Sequence, residues 1–178
     1  AREAANAEYE GYSQHRIGRL HFLDGEYAKA LESFRGARAL LEDKASRYDL
    51  TLIRINIGFC QAMLGKVDRG VRELREALQV AGKEGFRRCS TYALLYLGQI
   101  HLAKQEMAKA RDFVEEAELM AHGGEERFVD ILFQTAYHLW EMARLSGNQI
   151  QEKVYLGRLK FLRSQLDRHF QEVEKYDQ

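Results

Sequence analysis

Six histidines and two cysteines are where metal or nucleophilic chemistry would have to start in this sequence. Cys60 and Cys89 stand far apart and belong to no CxxC or Cys/His arrangement, so neither a zinc site nor a disulfide framework follows. Small apolar packing is the simpler role for both. HExxH, GxSxG, GxGxxG and phosphate-loop patterns are absent. The acidic pairs Glu115-Glu116 and Glu125-Glu126 fall on helix surfaces or starts, where solvation and the helix dipole account for them. The expectation is therefore a chain that is not an enzyme and uses no metal and no cofactor. What remains is recognition chemistry, carried by arginines, tyrosines and an asparagine that can hold a partner through charge and hydrogen bonds.

The elements that position such residues are helices. Among 178 residues there is no proline, and 46% fall in the hydrophobic set, so almost nothing interrupts a helix and an all-α fold with one core is expected. Basic and acidic residues balance at 27 each, which removes the broad attraction by which a nucleic-acid binder gathers phosphates; direct DNA or RNA contact is not expected. The apolar runs are too short to span a bilayer, and no signal-peptide core is seen, so a cytoplasmic chain in a reducing compartment with no membrane partner is expected. Ala1 and the polar lead-in AREAANAEYE suggest a piece cut from a longer protein.

The stretch Ile17 to Ala37 sets the architecture: Gly18, Gly25, Tyr27, Ala30, Phe34 and Ala37 describe a helix, a turn and a second helix. Gly18, Gly58 and Gly98 recur at intervals of forty. The same interval relates Ile17, Ile57 and Leu97, then Tyr27, Val67 and Met107, then Ala30, Gly70 and Ala110, and finally Ala37, Ala77 and Ala117. Small residues recur where two helices must approach and large ones where the gap is filled, so this is an internal repeat. His21 and His101 share one column of it and point to the packing side, which makes them structural.

On these residues the chain resembles the tetratricopeptide repeat family, over roughly residues 10 to 122. Ile17-Gly18, Gly25, Tyr27, Ala30, Phe34 and Ala37 match best; Ile57-Gly58, Gly65, Leu74 and Ala77 follow, then Leu97-Gly98, Ala110, Val114 and Ala117, with Gln105 in place of the turn glycine. The repeat is longer than the family's usual 34 or so, and the closing proline is missing. The resemblance implies a right-handed α-solenoid of antiparallel helix pairs, one domain over 1–178, with repeats about 11–46, 47–85 and 86–123 and a degenerate one over 125–176. Gly123-Gly124 is the strongest break; Trp140 and Ala143 fall near the packing positions of the fourth unit. The last helix, from Ile150 to about Tyr176, presents Tyr155, Leu159, Leu162, Leu166, Phe170 and Val173 as a stripe that caps the array. Lys153, Arg158, Lys160, Arg163 and Arg168 flank that stripe.

In the family's register the first helix of each pair lines a concave groove. The resemblance then places a peptide-binding floor at His15, Arg16, Arg19, Asn56, Phe59, Tyr92, Tyr96 and Gln99, extended by Tyr12, Phe22, Leu52, Ile55, Met63, Leu95 and Leu102 and, in the fourth unit, Gln134, Tyr137, His138 and Glu141. Such a floor, basic at one end and apolar at its centre, suits a protein or peptide ligand with an anionic end. Family members that bind chaperone tails use an asparagine at the Asn56 column within a carboxylate clamp, but Tyr92 and Tyr96 occupy the columns of its basic residues, so that ligand is not implied. The implied function is a non-enzymatic binding scaffold. A second implication comes from FLRSQLDRHFQEVEKYDQ, which is similar to the ending of bacterial helix-turn-helix regulators and would make this the sensing or dimerisation region of a transcription factor. A third expectation is a homodimer formed through the last helix.

Overall fold

A computed structural model describes residues 2–124 and 126–176, with the side chains of 6–124 and 126–166. The described residues form eight helices and no strand: α1 (Arg2–Leu23), α2 (Tyr27–Leu41), α3 (Arg47–Met63), α4 (Val67–Glu84), α5 (Arg87–Ala103), α6 (Met107–His122), α7 (Val129–Leu145) and α8 (Gln149–Tyr176). Consecutive helices pack as antiparallel pairs, α1 on α2, α3 on α4, α5 on α6 and α7 on α8, and the pairs stack so that α3 also meets α5 and α5 meets α7. None of these helices is long and apolar enough to cross a membrane. The Arg168, Phe170 and Val173 side chains and residue Glu125 lie outside the described residues.

The period has a direct structural cause. The second helix of the first three pairs opens at Tyr27, Val67 and Met107, the three residues of one sequence column. At the turn before each, the backbone passes through the left-handed region, at Gly25 (φ 75°), Gly65 (φ 84°) and Gln105 (φ 60°). Glycine adopts that conformation without a steric penalty, whereas Gln105 holds it against the clash of its Cβ. The glycine column does the other half of the work: a Cβ on Gly18 would lie 2.8 Å from the Phe34 ring, and one on Gly98 2.6 Å from Val114. At α3, Ser46 Oγ accepts a bond from the Asp49 amide at 3.1 Å, ending the preceding loop with a capped helix.

The core runs through the array as a chain of clusters. Ala30, Leu31, Phe34, Ala37 and Leu41 of α2 close on Ile53, Ile57 and Cys60 of α3. Leu74 and Ala77 of α4 share the central cluster with Leu97 and Ile100 of α5, and Ala110 and Val114 of α6 meet Leu139 and Met142 of α7. Cys60 and Cys89 are free and buried, and burial pushes both thiols up to about 12, so they are packing residues at neutral pH.

The fourth unit departs from the others. α7 opens two residues late against the period, after Gly123-Gly124, and this sets Trp140 where the earlier repeats have glycine. The Trp140 ring is half-buried under the Arg144 guanidinium, 5.1 Å away, and α8 turns its stripe accordingly: Leu162 is buried, while Tyr155, Leu159 and Leu166 are half-buried. Arg158 reaches past α7 to pair with Glu118 of α6 at 2.5 Å.

Candidate functional site

All four first helices contribute to one cavity of about 390 Å³. Arg19, Phe22 and Leu23 come from α1, Tyr48, Leu52 and Asn56 from α3, Arg88, Tyr92 and Tyr96 from α5, and Asp130 and Gln134 from α7. The repeat explains the convergence, because Tyr48, Arg88 and Asp130 occupy one column, at the first turn of α3, α5 and α7, and Leu52, Tyr92 and Gln134 occupy the next turn.

Phe22, Tyr92 and Tyr96 form the apolar side of the cavity and belong to an aromatic cluster that continues behind it to Phe59. Phe59 and Tyr96 stand with ring centroids 4.5 Å apart, Phe22 lies 5.3 Å from Phe59 and 5.6 Å from Tyr96, and Tyr92 lies 5.9 Å from Tyr96. Offset and tilted rings at these distances add to the burial of their surfaces. Burial, and then the neighbouring Tyr92, raises the Tyr96 hydroxyl well above the usual phenol range, so it stays protonated.

The polar side is partly saturated and partly open. Arg88 pairs with Asp130, the Tyr92 hydroxyl donates to the same carboxylate at 3.1 Å, and the Arg88 guanidinium lies 5.0 Å from the Phe128 ring. Burial, followed by the Asp130 charge, raises the Tyr92 hydroxyl. Arg19, in contrast, is exposed and makes no ion pair among the described residues, and the Asn56 amide makes no hydrogen bond among them although the residue is only 6% exposed. An amide without a protein partner in a cavity wall can give a ligand both a donor and an acceptor.

Of the eight residues expected to form the floor, the cavity brings together Arg19, Asn56, Tyr92 and Tyr96, and of those expected to extend it Phe22, Leu52 and Gln134. It leaves out four of the eight. His15 turns to the Phe34 ring, 5.8 Å away, with Nε2 buried and unpaired, and burial lowers its basicity. Arg16 is exposed outside the cavity, and Gln99 is half-buried away from it. Phe59 is 3% exposed and belongs to the core behind the floor, as do Ile55 and Leu95. Asn56, Tyr92 and Tyr96 face the cavity from α3 and α5, whereas Ile55, Phe59 and Leu95 of the same helices point into the stack. The expected floor began at Leu52 and Tyr92, so Tyr48 and Arg88, one turn earlier, were missed, although the forty-residue column already joined them; Asp130 was missed with the late start of α7.

The column histidines are structural. His21 Nδ1 meets Glu26 and His101 Nδ1 meets Glu106, each at 2.7 Å, tying a first helix to the start of the second, and His101 also stacks on Phe113.

No family model and no curated protein matches the sequence. Its fold, however, is that of TPR-like repeat proteins. The structure of BtubC (BKLC) from P. vanneervenii superposes with a TM-score of 0.66 over 88% of this chain at 17% identity, and the chain spans 64% of that protein's length. A Podosopora anserina protein named for kinesin light chain, made of nearly identical TPR-like repeats, superposes with a TM-score of 0.57 over 89% of this chain and 76% of its own, at 13% identity. The chain is thus an α-solenoid of TPR-like helix pairs. The expectation of a transcription-factor region finds no support in these relatives.

Proposed function

We propose that the protein is a non-enzymatic scaffold that holds an extended segment of a partner protein in the groove lined by α1, α3, α5 and α7. The unpaired Asn56 amide carries this reading: it is nine-tenths buried, lines the cavity and has both a donor and an acceptor to offer to a peptide backbone. Arg19, exposed and free of any carboxylate, supplies a charge at the same cavity, and Phe22, Tyr92 and Tyr96 supply an apolar wall. A groove of this form favours a segment with an acidic residue next to an apolar side chain.

Peptides selected from a random display library against the intact chain, then measured by calorimetry, provide the test. Asn56→Ala and Arg19→Ala are expected to weaken such a peptide about tenfold each, in line with the loss of a hydrogen bond to a charged or buried group. Tyr96→Phe, which retains the ring, separates the hydroxyl from the wall. Full affinity in all three variants, with melting temperatures unchanged, would remove the groove from consideration.

A further inference from the structure

Two kinds of unbonded polar atom occur among the described buried residues. Those of His15, Gln61, His101 and Trp140 are sealed in the packing. The Asn56 amide and the Tyr96 hydroxyl are also unbonded among the described residues, yet both residues line the cavity and keep their polar atoms open to it, while only 6% and 7% exposed. The Tyr96 ring is fixed by its contacts with Phe59 and Phe22, so only its hydroxyl is spare.

The cavity is uneven in charge. Arg19 comes from α1 and Asp130 from α7, the two ends of the row of first helices, so they stand on opposite sides. Asp130 is engaged where it stands, because Arg88 and the Tyr92 hydroxyl both bond its Oδ2. At Tyr96 burial, then Tyr92 and Cys60, raise the hydroxyl, and the Arg19 charge works against them. The α1 side therefore holds a protonated phenol and a guanidinium that no carboxylate among the described residues pairs, two donors with one positive charge between them.

That charge sets the class of group that fits. Of the charged residues lining the cavity, Arg19 and Arg88 are opposed by Asp130 alone, which leaves a single positive charge. A carboxylate matches it, and its two oxygens suit one charged and one neutral donor. A phosphoryl group brings close to a second charge, for which the other guanidinium of the cavity is already held by Asp130.

We infer that the α1 side of the cavity is a carboxylate site, with the Tyr96 hydroxyl donating to one oxygen and the Arg19 guanidinium to the other; this rests on the segment-binding groove proposed above. The Asn56 amide is left for the backbone of the same segment. Tyr96 is then the residue that decides specificity, and the acidic group of the ligand lies towards α1, away from Asp130.

Peptides selected against the intact chain are the probes, each resynthesised with one acidic residue as its amide, with that residue as phosphoserine, or with an amidated C-terminus. In the wild type, exchange of the bound carboxylate for the amide should weaken binding about thirtyfold by calorimetry. In Tyr96→Phe and in Arg19→Ala that penalty should shrink about tenfold, because the group removed read the same carboxylate. Asn56→Ala should weaken every form and leave the penalty whole. The C-terminal amide separates a chain-end carboxylate from a side-chain one: the exchange that couples to Tyr96 and Arg19 names the source. The phosphoserine form should bind the wild type more weakly than the carboxylate form, and gain more than it in Asp130→Asn. A peptide weakened by Asn56→Ala whose carboxylate penalty is absent, or equal in wild type, Tyr96→Phe and Arg19→Ala, overturns the carboxylate site and leaves the groove standing, as does a phosphoserine form that binds the wild type more tightly. A library that yields no peptide sensitive to Asn56, Arg19 or Tyr96 removes the groove, and the site with it.

Discussion

A Cβ built on Gly70 would sit 2.4 Å from the carbonyl oxygen of Gly58, so at these two glycines α3 and α4 approach too closely for a methyl group. The first and third repeats place Ala30 and Ala110 in the Gly70 column, and both are fully buried; α3 and α4 have taken up the space of that methyl group. Backbone on one side and Ala62 at 2.8 Å on the other leave no flexible side chain to yield. Gly70→Ala is expected to lower the unfolding free energy by about 1–3 kcal/mol, although alanine is the better helix former. Gly82→Ala in the same helix meets nothing within 4 Å and should stabilise by up to about 1 kcal/mol. Urea titration of both variants checks the contrast, and equal effects would contradict the packing account.

Gln105 offers the opposite case. It holds φ at 60° where Gly25 and Gly65 stand in the other repeats, and its side chain is exposed. Gln105→Gly relieves the left-handed strain, partly offset by the larger backbone entropy of glycine when unfolded, and should raise stability by about 0.5–1 kcal/mol. A rise in the urea midpoint with an unchanged slope is the expected reading.

The turn after α5 also sets a pH dependence. Hydrogen bonds from Lys104 first, then from His101 and Lys109, lower the Glu106 carboxyl to about 2. A carboxylate held lower in the folded chain than in the unfolded one binds fewer protons when folded, so its contribution is complete above the ordinary carboxylate range. It is then lost as the pH falls through that range towards about 2. Glu26, lowered by Lys29 and His21 at the equivalent turn, acts in the same direction. Glu106→Gln should therefore flatten the acid side of a plot of stability against pH while changing little on the basic side. An unaltered acid slope would show that the turn is too loosely held to matter.

The repeat was legible because close packing writes itself into residue size: Gly18, Gly58 and Gly98, with Phe34, Leu74 and Val114 facing them, cannot be exchanged without a clash. The groove was only half legible, because facing the groove imposes no size rule. The register placed Arg19, Asn56, Tyr92 and Tyr96 on the cavity wall, whereas Tyr48 and Arg88, in the first turn of α3 and α5, lie one turn before the point where the expected floor began. Asp130 was hidden by the late start of α7, a shift that Gly123-Gly124 announces without giving its size. His15 and Phe59 carry the residue types of a binding floor, yet the neighbouring Phe34, Phe22 and Tyr96 rings draw them inward.

The charge of the groove rests on one carboxylate. Arg19 and Arg88 both line the cavity, and Asp130 cancels only the second, which it holds in an ion pair about one-third exposed. Asp130→Asn keeps the shape and leaves Tyr92 an acceptor for its hydroxyl, but frees the Arg88 guanidinium to face the ligand. The pair is too exposed for its loss to cost the fold more than about 1 kcal/mol. If an acidic segment occupies the groove, the variant should bind it more tightly than the wild type, and its affinity should fall more steeply with added salt, because two cations rather than one are then screened. Calorimetry at low and high ionic strength reads both effects. Weaker binding in Asp130→Asn would mean that the ligand meets the carboxylate itself, and the favoured segment would then be basic.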